Sequence, residues 1–197
     1  MLMLSKMDKK WAPVDNTSLA RKVVLRNTYL PDDEEIAVLD AFTSNGLVWK
    51  QLEVLNPETT FNIARIDKES HKKGFYIRSE NTRFFGSTNL SVYDVIDLDH
   101  YGVPIKQMEI VLDHPFEKRV EVFVTANTIV LSKLPPSMLK VIGFTDAMID
   151  KSLYLCSCNV ENKILGYLSR RGVNRVDVLS IINDSGYHGY LHFRLGD

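Results

Sequence analysis

Cysteine is almost absent from this 197-residue chain: Cys156 and Cys158 are its whole complement. Near neighbours of this kind disfavour a disulfide, and without a nearby histidine they fall short of a zinc ligand set. Both read as reduced structural thiols, which fits a reducing, cytoplasmic compartment. Charge of one sign is also lacking. The formal net charge is −1, so the molecule as a whole is no electrostatic glove for nucleic acid. No apolar stretch reaches the ~18 residues of a membrane span. The opening Met1-Leu2-Met3-Leu4 is too short for a signal-peptide core, so neither export nor membrane residence is expected. There is no Gly-x-x-x-x-Gly-Lys phosphate loop, no Gly-x-Ser-x-Gly elbow around Ser44, Ser132 or Ser137, no internal repeat and no low-complexity segment. His71, His114, His188 and His192 are scattered without metal spacing, so no metal site is expected.

What is present is the composition of an ordinary globular domain, 45% hydrophobic and 25% charged. Residues 1–35 read as a polar N-terminal extension with a helix capped near Thr17 or Ser18, and 36–197 as the domain. Short apolar runs predict strands at Ile36–Leu39, Phe61–Ile66, Phe75–Arg78, Val92–Leu98, Val120–Ala126, Val173–Ile182 and Tyr187–Leu195. Helical spacing falls between them, at Leu47–Leu55, Pro104–Leu112, Met138–Ile142 and Glu161–Arg170. Asn81–Leu90 reads as a helix or turn followed by loop. Asn183-Asp184-Ser185-Gly186 is a turn signal that makes the last two strands an antiparallel hairpin. The order is therefore parallel βα units closed by a hairpin.

Two runs stand out. Val38-Leu39-Asp40-Ala41-Phe42-Thr43-Ser44-Asn45-Gly46 and Val92-Tyr93-Asp94-Val95-Ile96-Asp97-Leu98-Asp99-His100-Tyr101-Gly102 each end an apolar strand in carboxylates and break at glycine. Buried parallel strands deliver polar groups to the carboxyl edge of an α/β sheet in this way, and ligands bind at that edge. Asp67 ends the next strand about 20 residues beyond Gly46, the spacing at which a carboxylate takes ribose hydroxyls. Trp49 and Phe84-Phe85 read as core. Two basic stretches, 1–30 and 65–83, could follow a phosphate backbone or simply face solvent. Lys72, Lys73 and Arg78 of the second are candidate substrate contacts.

The pair of runs resembles the cofactor and target motifs of the class I S-adenosylmethionine-dependent methyltransferases. Asp97-Leu98-Asp99-His100-Tyr101-Gly102-Val103-Pro104 is most similar to the Asp-x-Asp-Pro-Phe/Tyr-Gly-Ser-Pro run of the tRNA guanine-N2 dimethyltransferases. The resemblance implies a three-layer Rossmann-like fold with a mostly parallel seven-stranded sheet. It also implies S-adenosylmethionine as cofactor, at Asp40, Phe42, Ser44, Gly46, Asp67, Asn89 (or Leu90) and Asp97. The methyl acceptor would be a nitrogen of a nucleic acid, RNA before DNA, with Asp99 and the His100 carbonyl drawing on the amine and Tyr101 stacking the base. Ser44 stands where the pattern has glycine, and His100 where it has proline. A non-catalytic cofactor-binding or interaction module, and a methyltransferase acting on protein or a small molecule, remain open alternatives.

Overall fold

The computed structural model describes residues 16–42, 45–67, 77–100, 102–127, 134–151, 160–183 and 186–196. Ser44, Lys72, Lys73 and Tyr101 lie outside them. In chain order the elements are α1 (Asn16–Tyr29), β1 (Glu35–Asp40), α2 (Leu47–Leu55), β2 (Thr60–Asp67), β3 (Ile77–Arg78), α3 (Asn81–Ser87), β4 (Val95–Leu98), α4 (Ile105–Asp113), β5 (Val120–Asn127), α5 (Pro136–Val141), α6 (Asp146–Lys151), α7 (Val160–Arg170), β6 (Val176–Asn183) and β7 (Gly186–Leu195). The seven strands form one sheet in the order β3-β2-β1-β4-β5-β7-β6. β1 pairs in parallel with β2 and β4, as do β2 with β3 and β4 with β5, while β7 runs antiparallel between β5 and β6.

Strand periodicity divides the core between the two faces of this sheet. On one face Leu39, Ile96, Leu98, Val122, Val124, Leu191 and Phe193 meet Met108 and Val111 of α4, Leu139 of α5, and Ile164 and Leu168 of α7. On the other, Ile36, Val38, Val95, Phe123 and Tyr190 meet Val23 and Leu25 of α1 and Trp49 and Leu52 of α2. Both faces of β5 are covered, and every one of its residues is buried, which is why it reads as an unbroken apolar run. The segment expected as an N-terminal extension thus supplies α1 to the second core layer.

Two strand starts and one helix depart most from the sequence reading, each for a local reason. β4 begins at Val95 rather than Val92, because Asn89 Oδ1 accepts from Ser91 N at 3.0 Å and winds Leu90–Val92 into a 3₁₀ turn. β6 begins at Val176 rather than Val173, because Val173 N donates to Leu168 O at 3.0 Å and Gly172 N to Ser169 O at 3.1 Å. Gly172, at φ 86°, completes this Schellman closure of α7, so the Val173 amide is spent on the helix. Helix α6 was not expected; Thr145 Oγ1 accepts from Met148 N at 3.3 Å and caps it. Among the described residues no helix is long and apolar enough to cross a membrane.

Candidate functional site

The parallel strands β1, β2 and β4 deliver their last residues to one edge of the sheet. Asp40 ends β1, Asp67 ends β2, and Asp99-His100 follows β4. Asp40 lies in register with Asp97, and Ala41 N donates to Asp97 O at 3.1 Å, which pins the two strand ends together. The chain then enters α2 through Gly46 at φ 62°, a left-handed conformation that side chains disfavour, and the turn leaves the first amides of α2 at the edge. The two sequence motifs meet physically: the Phe42 ring stands edge-on to His100, with centroids 4.5 Å apart and planes at 62°. Beyond β4 the His100 carbonyl accepts from Gly102 N at 3.1 Å, and the Gly102 carbonyl from Asn127 N at 2.9 Å, tying this turn to the end of β5.

The charges at this edge are paired by α1. Arg26 is 1% exposed and grips Asp97 with two parallel bonds, Nε to Oδ2 at 2.8 Å and Nη2 to Oδ1 at 2.5 Å. Trp49 Nε1 adds a third donor to Asp97 Oδ2 at 3.0 Å. Burial raises the Asp97 carboxyl above the ordinary carboxylate range, although Arg26 pulls it down. Burial opposes the Arg26 charge as well, but Asp97, Asp99 and Asp40 outweigh it and hold the guanidinium protonated. One turn before Arg26, Lys22 Nζ lies 2.7 Å from Asp99 Oδ1 and 2.8 Å from Oδ2. Burial disfavours the Asp99 charge, yet Lys22 and Arg26 more than compensate and hold this carboxyl below its usual range.

Of the residues singled out in the sequence, Asp40, Phe42, Gly46, Asp67, Asp97, Asp99 and His100 share the carboxyl edge. Arg78 is next to it, in register with Asp67 on β3. Asn89 does not belong there. It precedes β4 at the opposite edge, where its neighbour Ser91 bonds His114 at 2.9 Å just beyond the end of α4. At the carboxyl side, after β3, stands Asn81 at the start of α3, whose buried Oδ1 has no partner among the described residues. Asp97 has both oxygens engaged by Arg26 and Trp49 and faces the interior rather than a ligand.

Lys22 and Arg26 were not singled out in the sequence because they belong to the basic stretch 1–30, which could follow a phosphate backbone or simply face solvent. Their signal was there: cations four apart on a helix share a face, as do carboxylates two apart on a strand. Among the described residues no cluster of three or more histidine, cysteine or acidic side chains could hold a metal ion.

No protein-family model and no curated protein matches this chain. Solved structures do. A Listeria monocytogenes protein assigned to the class I S-adenosylmethionine-dependent methyltransferases aligns over 96% of this chain with 13% identity and a TM-score of 0.55; the alignment spans 64% of that protein. A Lactococcus lactis protein described as a hemolysin aligns over 92% of this chain and 88% of its own, at 14% identity and TM-score 0.57. A SAM-dependent methyltransferase from Archaeoglobus fulgidus aligns over 91% and 94%, at 8% identity and TM-score 0.52. The shared property is the fold: a Rossmann-like sheet of the class I methyltransferase type, as the strand order and the C-terminal antiparallel pair require.

Proposed function

We propose that this chain is a cytoplasmic methyltransferase that uses S-adenosylmethionine and methylates a nitrogen of a nucleic acid, RNA in preference to DNA. The observation that carries the reading is the gathering of Asp40, Asp67 and Asp99 at the carboxyl edge of a sheet of this strand order, beside the Gly46 entry to α2. The donor set suits the cofactor. Asp67 is a carboxylate for the ribose hydroxyls, the buried Asn81 Oδ1 an acceptor for the adenine amine, and Asp40 with the first α2 amides a site for the methionine end. When bound, S-adenosylmethionine supplies an electrophilic sulfonium methyl group.

The charge state of Asp99 supports nitrogen as acceptor. A carboxylate held below its usual range is a poor base toward a hydroxyl group. Toward an exocyclic amine it need only accept hydrogen bonds, drawing the nitrogen lone pair out of conjugation, and then receive a proton that the methylated nitrogen sheds readily. Tyr101 would stack the base, and Lys72, Lys73 and Arg78 would contact phosphates.

Calorimetry with S-adenosylmethionine, followed by tritiated-methyl transfer to tRNA, DNA and protein, tests this. Asp99→Ala is expected to abolish transfer while nearly preserving cofactor affinity, and Tyr101→Ala to weaken nucleic-acid binding by ~1–3 kcal/mol. Transfer to protein alone would replace the acceptor. A second reading, a cofactor-binding module without catalysis, is favoured by the complete engagement of Asp97. Cofactor binding with no transfer to any of the three acceptors would establish it.

A further inference from the structure

Helix α1 meets β4 through two ion pairs that look alike in sequence and differ in setting. Arg26 and Asp97 have side chains 1% and 2% exposed, out of reach of any ligand. The Lys22 and Asp99 side chains keep 19% and 17% of their surface, so this pair opens onto the edge where the strands end. Lys22 Nζ donates to Asp99 Oδ2 at 2.8 Å and lies 2.7 Å from Oδ1, a buried oxygen with no hydrogen-bond partner among the described residues. The ammonium is itself held, 5.9 Å over the centroid of the Tyr190 ring.

We propose that Lys22 is a positioning residue for methyl transfer: reaching from α1, it holds the Asp99 carboxylate ionised and in one orientation for the acceptor nitrogen. The inference rests on the function proposed above. A protonated Asp99 would present a donor where the acceptor amine needs a lone pair, so its charge state decides whether the amine is held at all. The groups that face Asp99 are Lys22 and Arg26 from α1, Thr125 from β5 and Asp97 on its own strand. Asp40 on β1 enters the same cluster through Arg26. Arg26 is committed to Asp97 by two bonds, so Lys22 is the cation whose removal leaves Asp99 beside a like charge without its own partner. The Arg26–Asp97 pair meanwhile keeps α1 docked, which makes substitution of Lys22 compatible with folding.

The test uses the full chain as wild type and as Lys22→Met, Lys22→Gln and Lys22→Arg. Carboxyl ¹³C NMR, with Asp99→Asn to assign the resonance, follows the titration of Asp99. It is expected to move upward in Lys22→Met and Lys22→Gln and to return in Lys22→Arg, with S-adenosylmethionine affinity equal in all four. The acidic limb of tritiated-methyl transfer to bulk tRNA is expected to move upward with it, chiefly in kcat, and to be restored by arginine. A purely structural tie would leave that limb in place. An Asp99 titration identical in wild type and both neutral variants, or an acidic limb that does not move, overturns the role of Lys22. A wild-type chain that methylates no tRNA counts against the acceptor proposed above, and the carboxyl titration then decides the role of Lys22 independently.

Discussion

The two faces of the sheet are built on different principles. Toward α4, α5 and α7 the interior formed by the described residues is apolar apart from the Tyr167 hydroxyl. Toward α1 and α2 lie the buried polar and charged residues among those described: Arg26, Asp40, Asp97, Glu121, Thr125, Asn127 and His192. Burying charge costs free energy that even a good pairing barely recovers, and an apolar replacement would usually be as stable or more so. One face therefore contributes stability, while the other gives some of it up and holds charged groups in fixed positions under the proposed site.

The sharpest way to break this comparison is Arg26→Met. It leaves Asp97 buried without its cation and is expected to cost about 3–5 kcal/mol, read as a lower urea midpoint. Adding Asp97→Leu is expected to recover most of the loss, because the pair and not the fold demands the charge. On the apolar face Leu168→Ala is expected to cost about 2–5 kcal/mol, with no effect on cofactor affinity in calorimetry. Asp40→Asn and Asp67→Ala are each expected to lower S-adenosylmethionine affinity about ten- to hundredfold, ~1.5–3 kcal/mol for a charged hydrogen bond.

The smallest effect concerns Glu121, at the other end of the polar face. There His192 Nε2 and Arg119 Nε both lie 2.6 Å away and Arg194 Nε 3.0 Å. Burial opposes its charge, but His192 and Arg119 hold the carboxyl below its ordinary range. A depressed folded-state pKa stabilises above the unfolded value, and that contribution is lost as pH falls through the folded one. Glu121→Gln is expected to lower stability near neutrality, where that contribution is present in full, and to flatten the acidic limb of the profile, measured by thermal unfolding across pH.

The fold was legible because strand and helix periodicities, together with the 183–186 turn, are local signals. The position of Gly46 at the entry to α2 and of Asp67 at the end of β2 was legible from the glycine break and the strand pattern. What the sequence concealed depends on which distant residues share a layer. Lys22 and Asp99 are far apart in the chain, and the spacing that puts Lys22 and Arg26 on one helix face does not say whether that face turns inward. Asn89 was misplaced for a related reason. A residue just before a strand lies at its amino end, and the ligand edge is reached by the start of α3 instead.

β7 also governs the order in which the molecule can be completed during synthesis. It lies between β5 and β6, pairing with both, and its His192 ring stacks on Tyr29 of α1 with centroids 3.9 Å apart. Until the ribosome has delivered the strand through Leu195, β5 has one unpaired edge and the inner side of α1 lacks part of its seat. Pairings this distant are slow to form, and open edges invite pairing with other chains. The nascent protein therefore stays open to aggregation until β7 has been made and has paired with both neighbours.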